Sequence, residues 1–147
     1  MTWTDDYLRL RFRKSGRVRP EVDCWGLYRL IVGERTGLWL DEFGGNESAY
    51  SIARVMAREV PGSGWDEIAP GEERTLDMVM MRGLVGQGRA TISAALHVGC
   101  VVEPGLLIDI EETSGVKVRA FRDTASRASA PSLRNRVLGI YRARAAS

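Results

Sequence analysis

Residues 97–121 read HVGCVVEPGLLIDIEETSGVKVRAF, and how this stretch divides decides the fold. Three apolar runs, His97 to Val102, Leu106 to Ile110 and Val116 to Phe121, are separated by the turn-forming groups EPG and EETSG. Each run has strand length and is rich in Val, Ile and Leu. The spacers are too short for helical crossovers, so antiparallel pairing is the economical reading.

The same pattern extends outward to Asp77–Met81 (DMVMM) and Val137–Tyr141 (VLGIY), which also read as strands. Towards the N-terminus the apolar spacing lengthens to that of helices. Trp3 to Leu10 forms a short opening helix capped by Thr2 or Thr4, and RKSGRVRPEV (residues 13–22) is a turn. Asp23 caps the next helix, in which Leu27, Leu30, Ile31 and Glu34 keep helical spacing until Gly37 stops it. A further helix is expected from Glu47 to Glu59, ending at PGSG. The segment GLVGQGRATISAAL (residues 83–96) reads equally as an extra hairpin or a mobile loop. The expectation is therefore one α+β domain over residues 1–147, with N-terminal helices packed on an antiparallel sheet of about five or six strands.

Composition bounds the function. At 147 residues, 44% hydrophobic and 27% charged, the chain can bury a core without disulfide or metal staples. No apolar run approaches the roughly 18 residues of a membrane span. The opening MTWTDDYLRLRFRK lacks the apolar region of a signal peptide, so export by that route is not indicated. A net charge of +2 is too small to argue for nucleic acid. The arginine-rich tail from Arg119 to Arg144 fits a solvated surface, with an anionic partner or neighbouring protein as the alternative. Two cysteines support neither a disulfide framework nor a zinc cluster, and no metal or cofactor is expected.

One of those cysteines, Cys24, stands at the start of a helix, where the positive end of the helix dipole favours a thiolate. A nucleophilic thiol also needs a base, and the chain has a single histidine, His97. Cys100, three residues further along the same strand, points to the opposite face and reads as core. If Glu103, Pro104 and Gly105 form a three-residue turn, Val102 pairs with Leu106 and Gly99 with Asp109. Asp109 then lies diagonally across from His97, close enough to orient the ring. A slip of one residue would turn it to the other face.

These residues carry a resemblance. DCWGL (23–27), LDMVMMR (76–82), HVGCVV (97–102) and LLIDIEETSGV (106–116) resemble, in order, the motifs of NlpC-type peptidases. The tryptophan after the cysteine, the opening WTDDYLRLRF and the closing VLGIYRAR resemble the phage tail-assembly and gene-transfer-agent branch of that family. The resemblance implies a papain-like fold and hydrolysis of peptide bonds in bacterial peptidoglycan. It makes Cys24 the nucleophile, His97 the general base and Asp109 the residue that orients it. It also implies backbone amides near Cys24 as oxyanion donors. Asp23 resembles the family acid that holds the substrate's peptide end, and helix capping explains it equally well.

Three positions depart from the family pattern. Phe12 stands where a tyrosine is common, removing a hydroxyl near the nucleophile. Trp25 replaces a small polar residue and is expected to reshape the substrate pocket, although Trp25, Trp39 and Trp65 read as core or interface before they read as sugar platforms. Asp109 replaces the more usual histidine and favours a protonated His97. The resemblance further implies peptidoglycan stem peptides and tail-tip or baseplate hub proteins as partners, and a place at the virion tail tip. Two alternatives remain at this stage: a catalytically silent hub or plug protein, and a thiol amidase or acyltransferase on another substrate.

Overall fold

The computed structural model describes residues 2–40, 64–82, 96–122 and 136–144. The helix expected over Glu47 to Glu59 and the segment from Gly83 to Ala95 lie outside the described residues. Among the described residues no helix is long and apolar enough to cross a membrane.

Helix α1 spans Cys24–Thr36. Asp23, in extended backbone, accepts a hydrogen bond from Gly26 N at 2.7 Å and satisfies one of the donors that a helix start leaves unpaired. At the other end Gly37 takes a left-handed φ of 82°, which lets its N–H reach the Gly33 carbonyl at 2.9 Å. Both ends thus follow from local chemistry. The chain before α1 packs backbone to backbone against the first turn. A Cβ on Gly26 would stand 2.1 Å from the Gly16 carbonyl oxygen, so only glycine fits there.

That preceding segment, expected as a turn, contains a small sheet. Its strands are β1 (Arg11–Phe12), β2 (Arg17–Val18) and β3 (Glu21–Val22), in the order β1-β3-β2. Strands of two residues carry no readable period, and backbone bonds such as Arg13 N to Val22 O at 3.1 Å define them. The opening helix is shorter than expected, a single 3-10 stretch over Trp3–Tyr7 with Thr2 as its cap. Bonds to the third residue back, such as Asp5 N to Thr2 O at 3.1 Å, replace the α pattern in so short a piece.

The main sheet has six strands: β4 (Trp65–Glu67), β5 (Met78–Arg82), β6 (Leu96–Glu103), β7 (Leu106–Glu111), β8 (Gly115–Ala120) and β9 (Val137–Ala143). Their order is β4-β9-β5-β6-β7-β8, and every pair is antiparallel. The α+β reading holds. The five expected strands are present, with ends moved by a residue or two. β4 was not expected, because WDE holds one apolar residue and owes its extended form to pairing of Trp65 with Ala143.

Strand alternation builds two apolar clusters. Val98, Cys100, Ile108 and Ile110 join Met78 and Met80 beneath Trp25, Leu27, Tyr28 and Ile31 of α1. Val79, Met81, Val101 and Leu107 form a second cluster with Phe121 and Ile140. Burial of each large side chain contributes about 1.5–3 kcal/mol, which ties α1 to the sheet.

The β6–β7 hairpin differs from expectation at its tip. Glu103 pairs with Leu106, so the loop is Pro104-Gly105 alone, and the register shifts between Val101 and Glu103. Beyond that bulge Val101 pairs with Leu107 and Cys100 with Ile108. This is the register expected from a three-residue turn, because the bulge at Val102 absorbs the residue that the shorter loop leaves over.

The Gly16–Gly26 contact generates a stability prediction. Gly26→Ala is expected to destabilise the fold by about 1–3 kcal/mol through overpacking, outweighing alanine's better helix propensity of about 1 kcal/mol. Urea denaturation would measure it, and an unchanged or raised midpoint would show that the loop yields.

Candidate active site

Three elements meet at one point. Cys24 is the first residue of α1 and is partly exposed. Its position is set from behind, where Asp23 is buried at 5% exposure and divides its carboxylate between two partners. Oδ1 accepts from Gly26 N, and Oδ2 accepts from Arg17 Nη1 at 2.7 Å. Arg17 is also buried and reaches the Gly16 carbonyl at 3.1 Å. A paired and hydrogen-bonded buried ion pair of this kind fixes geometry, and losing one partner strands the other.

His97 lies near the start of β6, paired with Met81 of β5. Continuing the β6–β7 register past Cys100 and Ile108 sets Asp109 opposite Gly99 and Glu111 opposite His97. Asp109 is therefore the diagonal neighbour of His97, and Gly99 puts no side chain between them. His97 Nε2 donates to Asp109 Oδ2 at 2.7 Å. With Nε2 engaged by Asp109, the Cys24 side chain is the other group that acts on the ring and favours its charged form.

The ring is 7% exposed and Asp109 is 1% exposed. Burial disfavours the charged imidazole, but the Asp109 hydrogen bond and then the Cys24 side chain outweigh it and push the His97 pKa up to about 9. Protonated His97 is therefore the dominant form at neutral pH. Cys100 is buried among apolar residues, and burial pushes its thiol well above the usual range.

Behind Asp109 stand residues that sequence reasoning missed. Arg119 of β8 donates through Nε to Asp109 Oδ1 at 3.1 Å and through Nη2 to Asp109 Oδ2. The same Nη2 reaches Glu111 Oε1 at 2.8 Å. Arg136 donates from Nη1 to Glu111 Oε1 at 2.8 Å and from Nε to the Arg82 carbonyl at 2.9 Å. Burial works against the Glu111 charge, yet the two arginines hold its pKa down to about 2. The alternation rule that located Asp109 would also have found Arg119, because Arg119 pairs with Leu107 and so lies diagonal to Asp109.

His97, Asp109 and Glu111 offer ligand atoms within 4.8 Å of one another. Both carboxylates are already held by guanidinium groups, whose charge opposes a divalent cation there.

The remaining expected site residues sit differently. Trp25, expected to shape a substrate pocket, is 2% exposed and packs beside Tyr28 with ring centroids 5.9 Å apart. As the second residue of α1 it faces the core, so it presents no ligand surface. Asp23 shows the geometry of a helix cap with both oxygens engaged. Phe12 ends β1, half-buried against the core. Trp65 is buried as well, and Trp39 is half exposed beyond the end of α1.

No family model matches the sequence, and no curated protein matches it. Among solved structures the chain is similar to NlpC2 from Trichomonas vaginalis, at a TM-score of 0.57 and 16% identity. The fold is NlpC-type. The similarity covers 93% of this chain and 42% of NlpC2, so the chain spans less than half the length of that protein. In this NlpC-type, papain-like fold, a helix carrying Cys24 at its start packs on an antiparallel sheet carrying His97 and Asp109.

The raised His97 pKa links stability to pH. Because the folded-state value of about 9 exceeds the ordinary 6.5, the stabilisation is complete below pH 6.5 and is lost as pH rises through about 9. The denaturation midpoint is expected to fall across that window in the wild type. His97→Gln should flatten this part of the profile; an equal slope in both proteins would assign the effect to other groups.

Proposed function

We propose that the chain is a cysteine peptidase that hydrolyses peptide bonds of bacterial peptidoglycan, acting at the tail tip of a phage or phage-like particle during cell entry. The observation that carries the hydrolase reading is the linked set Cys24, His97 and Asp109, with His97 Nε2 bonded to Asp109 at 2.7 Å and Cys24 partnered to the same ring. The NlpC-type fold supports it. The tail-tip reading is supported by the sequence motifs around Trp25 and by those near each end of the chain.

In this mechanism Cys24 and His97 form a thiolate–imidazolium pair. The thiolate attacks the carbonyl carbon of the scissile amide, and the backbone N–H at the start of α1 faces the developing oxyanion. His97 gives its proton to the leaving nitrogen, the C–N bond breaks, and the amine departs. A water molecule then gives one proton to neutral His97 as its oxygen attacks the thioester. Breaking the C–S bond releases the acid and restores the thiolate beside a protonated ring. Asp109 keeps the imidazolium oriented throughout.

Two measurements test the reading. Iodoacetamide near neutral pH is expected to label Cys24 and spare Cys100, with His97→Asn slowing the labelling by about tenfold or more. Purified peptidoglycan should release soluble peptides with the wild type and none with folded Cys24→Ala. Equal labelling of the two cysteines, together with no release by the wild type, would remove the enzyme reading and leave the silent hub or plug. Release of ammonia or acyl-transfer products in place of stem peptides would select an amidase or acyltransferase.

A further inference from the structure

Arg119 makes more contacts to the acidic side of the site than any hydrogen bond to His97 requires. Its guanidinium grips both oxygens of Asp109 and also reaches Glu111, while Arg136 holds Glu111 from the far side. The groups facing or feeding His97 can be named by element. Cys24 comes from α1, Asp109 and Glu111 from β7, Arg119 from β8, and Arg136 precedes β9. Glu111 Oε1 lies 3.9 Å from His97 Nε2, so two carboxylates approach one ring nitrogen. From β5, the strand on the other side of β6, the residue paired with His97 is the apolar Met81.

Two negative charges beside a buried imidazole would hold its proton so firmly that the ring could not give it up. They would also repel one another, and Asp109 could turn away from His97. The guanidinium answers both problems, since its planar fork fits one carboxylate in a single orientation while its charge offsets the pair.

We propose that Arg119 is a positioning residue that aims the Asp109 carboxylate at His97 and lowers the negative potential at the ring, keeping the imidazolium able to release its proton. This deepens the peptidase reading and rests on it for its consequence in catalysis, but its first readout does not require activity. Arg136 supports the arrangement by holding Glu111 against the same guanidinium.

Because His97 is the chain's single histidine, its ring signals can be followed by NMR without assignment against others. Arg119→Gln keeps an N–H donor on the side chain but removes both the charge and the planar fork that grips Asp109 and reaches Glu111. Its His97 titration midpoint is expected to rise by about one pH unit, the usual effect of a charge at this range. Arg119→Lys restores the charge and should bring the midpoint back near wild type. Asp109→Asn should move it the opposite way, downward.

A folded Arg119→Gln variant whose midpoint is unmoved or lowered would overturn the proposal. If that variant does not fold, an Arg119→Lys midpoint raised by a full unit would overturn it instead, because the charge is retained. The peptidase reading fails separately, through Cys24 labelling and peptide release, whatever the titration shows.

Discussion

Pairing of Cys100 with Ile108 and of Val101 with Leu107 places the core and the site in one step. It sends Val98, Cys100, Ile108 and Ile110 beneath α1 and aligns His97, Asp109 and Glu111 in the alternate row, whose His97 end meets Cys24. A slip of one residue would exchange the rows, putting carboxylates under the helix and isoleucines beside the imidazole. Both exchanges are unfavourable. An unpaired carboxylate in an apolar cluster costs several kcal/mol, and isoleucines in the alternate row would leave the largely buried Arg119 guanidinium without its counter-charge. The register is thus held by apolar packing and by charge pairing together.

The alternation of charge along the site follows from its burial. Asp109 at 1% exposure has little water to solvate it, so the protein supplies Arg119 on one side and the His97 ring on the other. Glu111 is held in the same way between Arg119 and Arg136. Removing water strengthens each of these contacts and also makes each omission expensive. Cys24 escapes that burial because it occupies the exposed end of α1, while Trp25 next to it turns inward. One helical step separates a residue that can meet substrate from one that cannot.

The front of α1 works by different means. Asp23 and Arg17 form a buried pair whose geometry is set by the Gly16 carbonyl and the Gly26 amide, so the loop before the helix and the helix itself constrain each other. Pinning the first turn in this way fixes where the Cys24 side chain starts. The sheet side and the helix side of the site are therefore organised separately, and tertiary packing between them brings His97 to Cys24.

Local chemistry made much of this legible in the sequence. The Asp23 cap and the Gly37 stop bounded α1, five apolar runs marked five strands, and alternation along two of them joined His97 to Asp109. These signals act over a few residues, and each element carries its own. The sequence also left a single candidate base for Cys24, since the chain has one histidine. Insertion of β9 between β4 and β5 was decided only in the tertiary structure, where non-local burial selects strand order. The inward direction of Trp25 and the occupation of both Asp23 oxygens depended on what packs against the first turn. Arg119 and Arg136 acquired their place for the same reason, because a buried carboxylate takes its counter-charge from whichever strand the fold sets beside it.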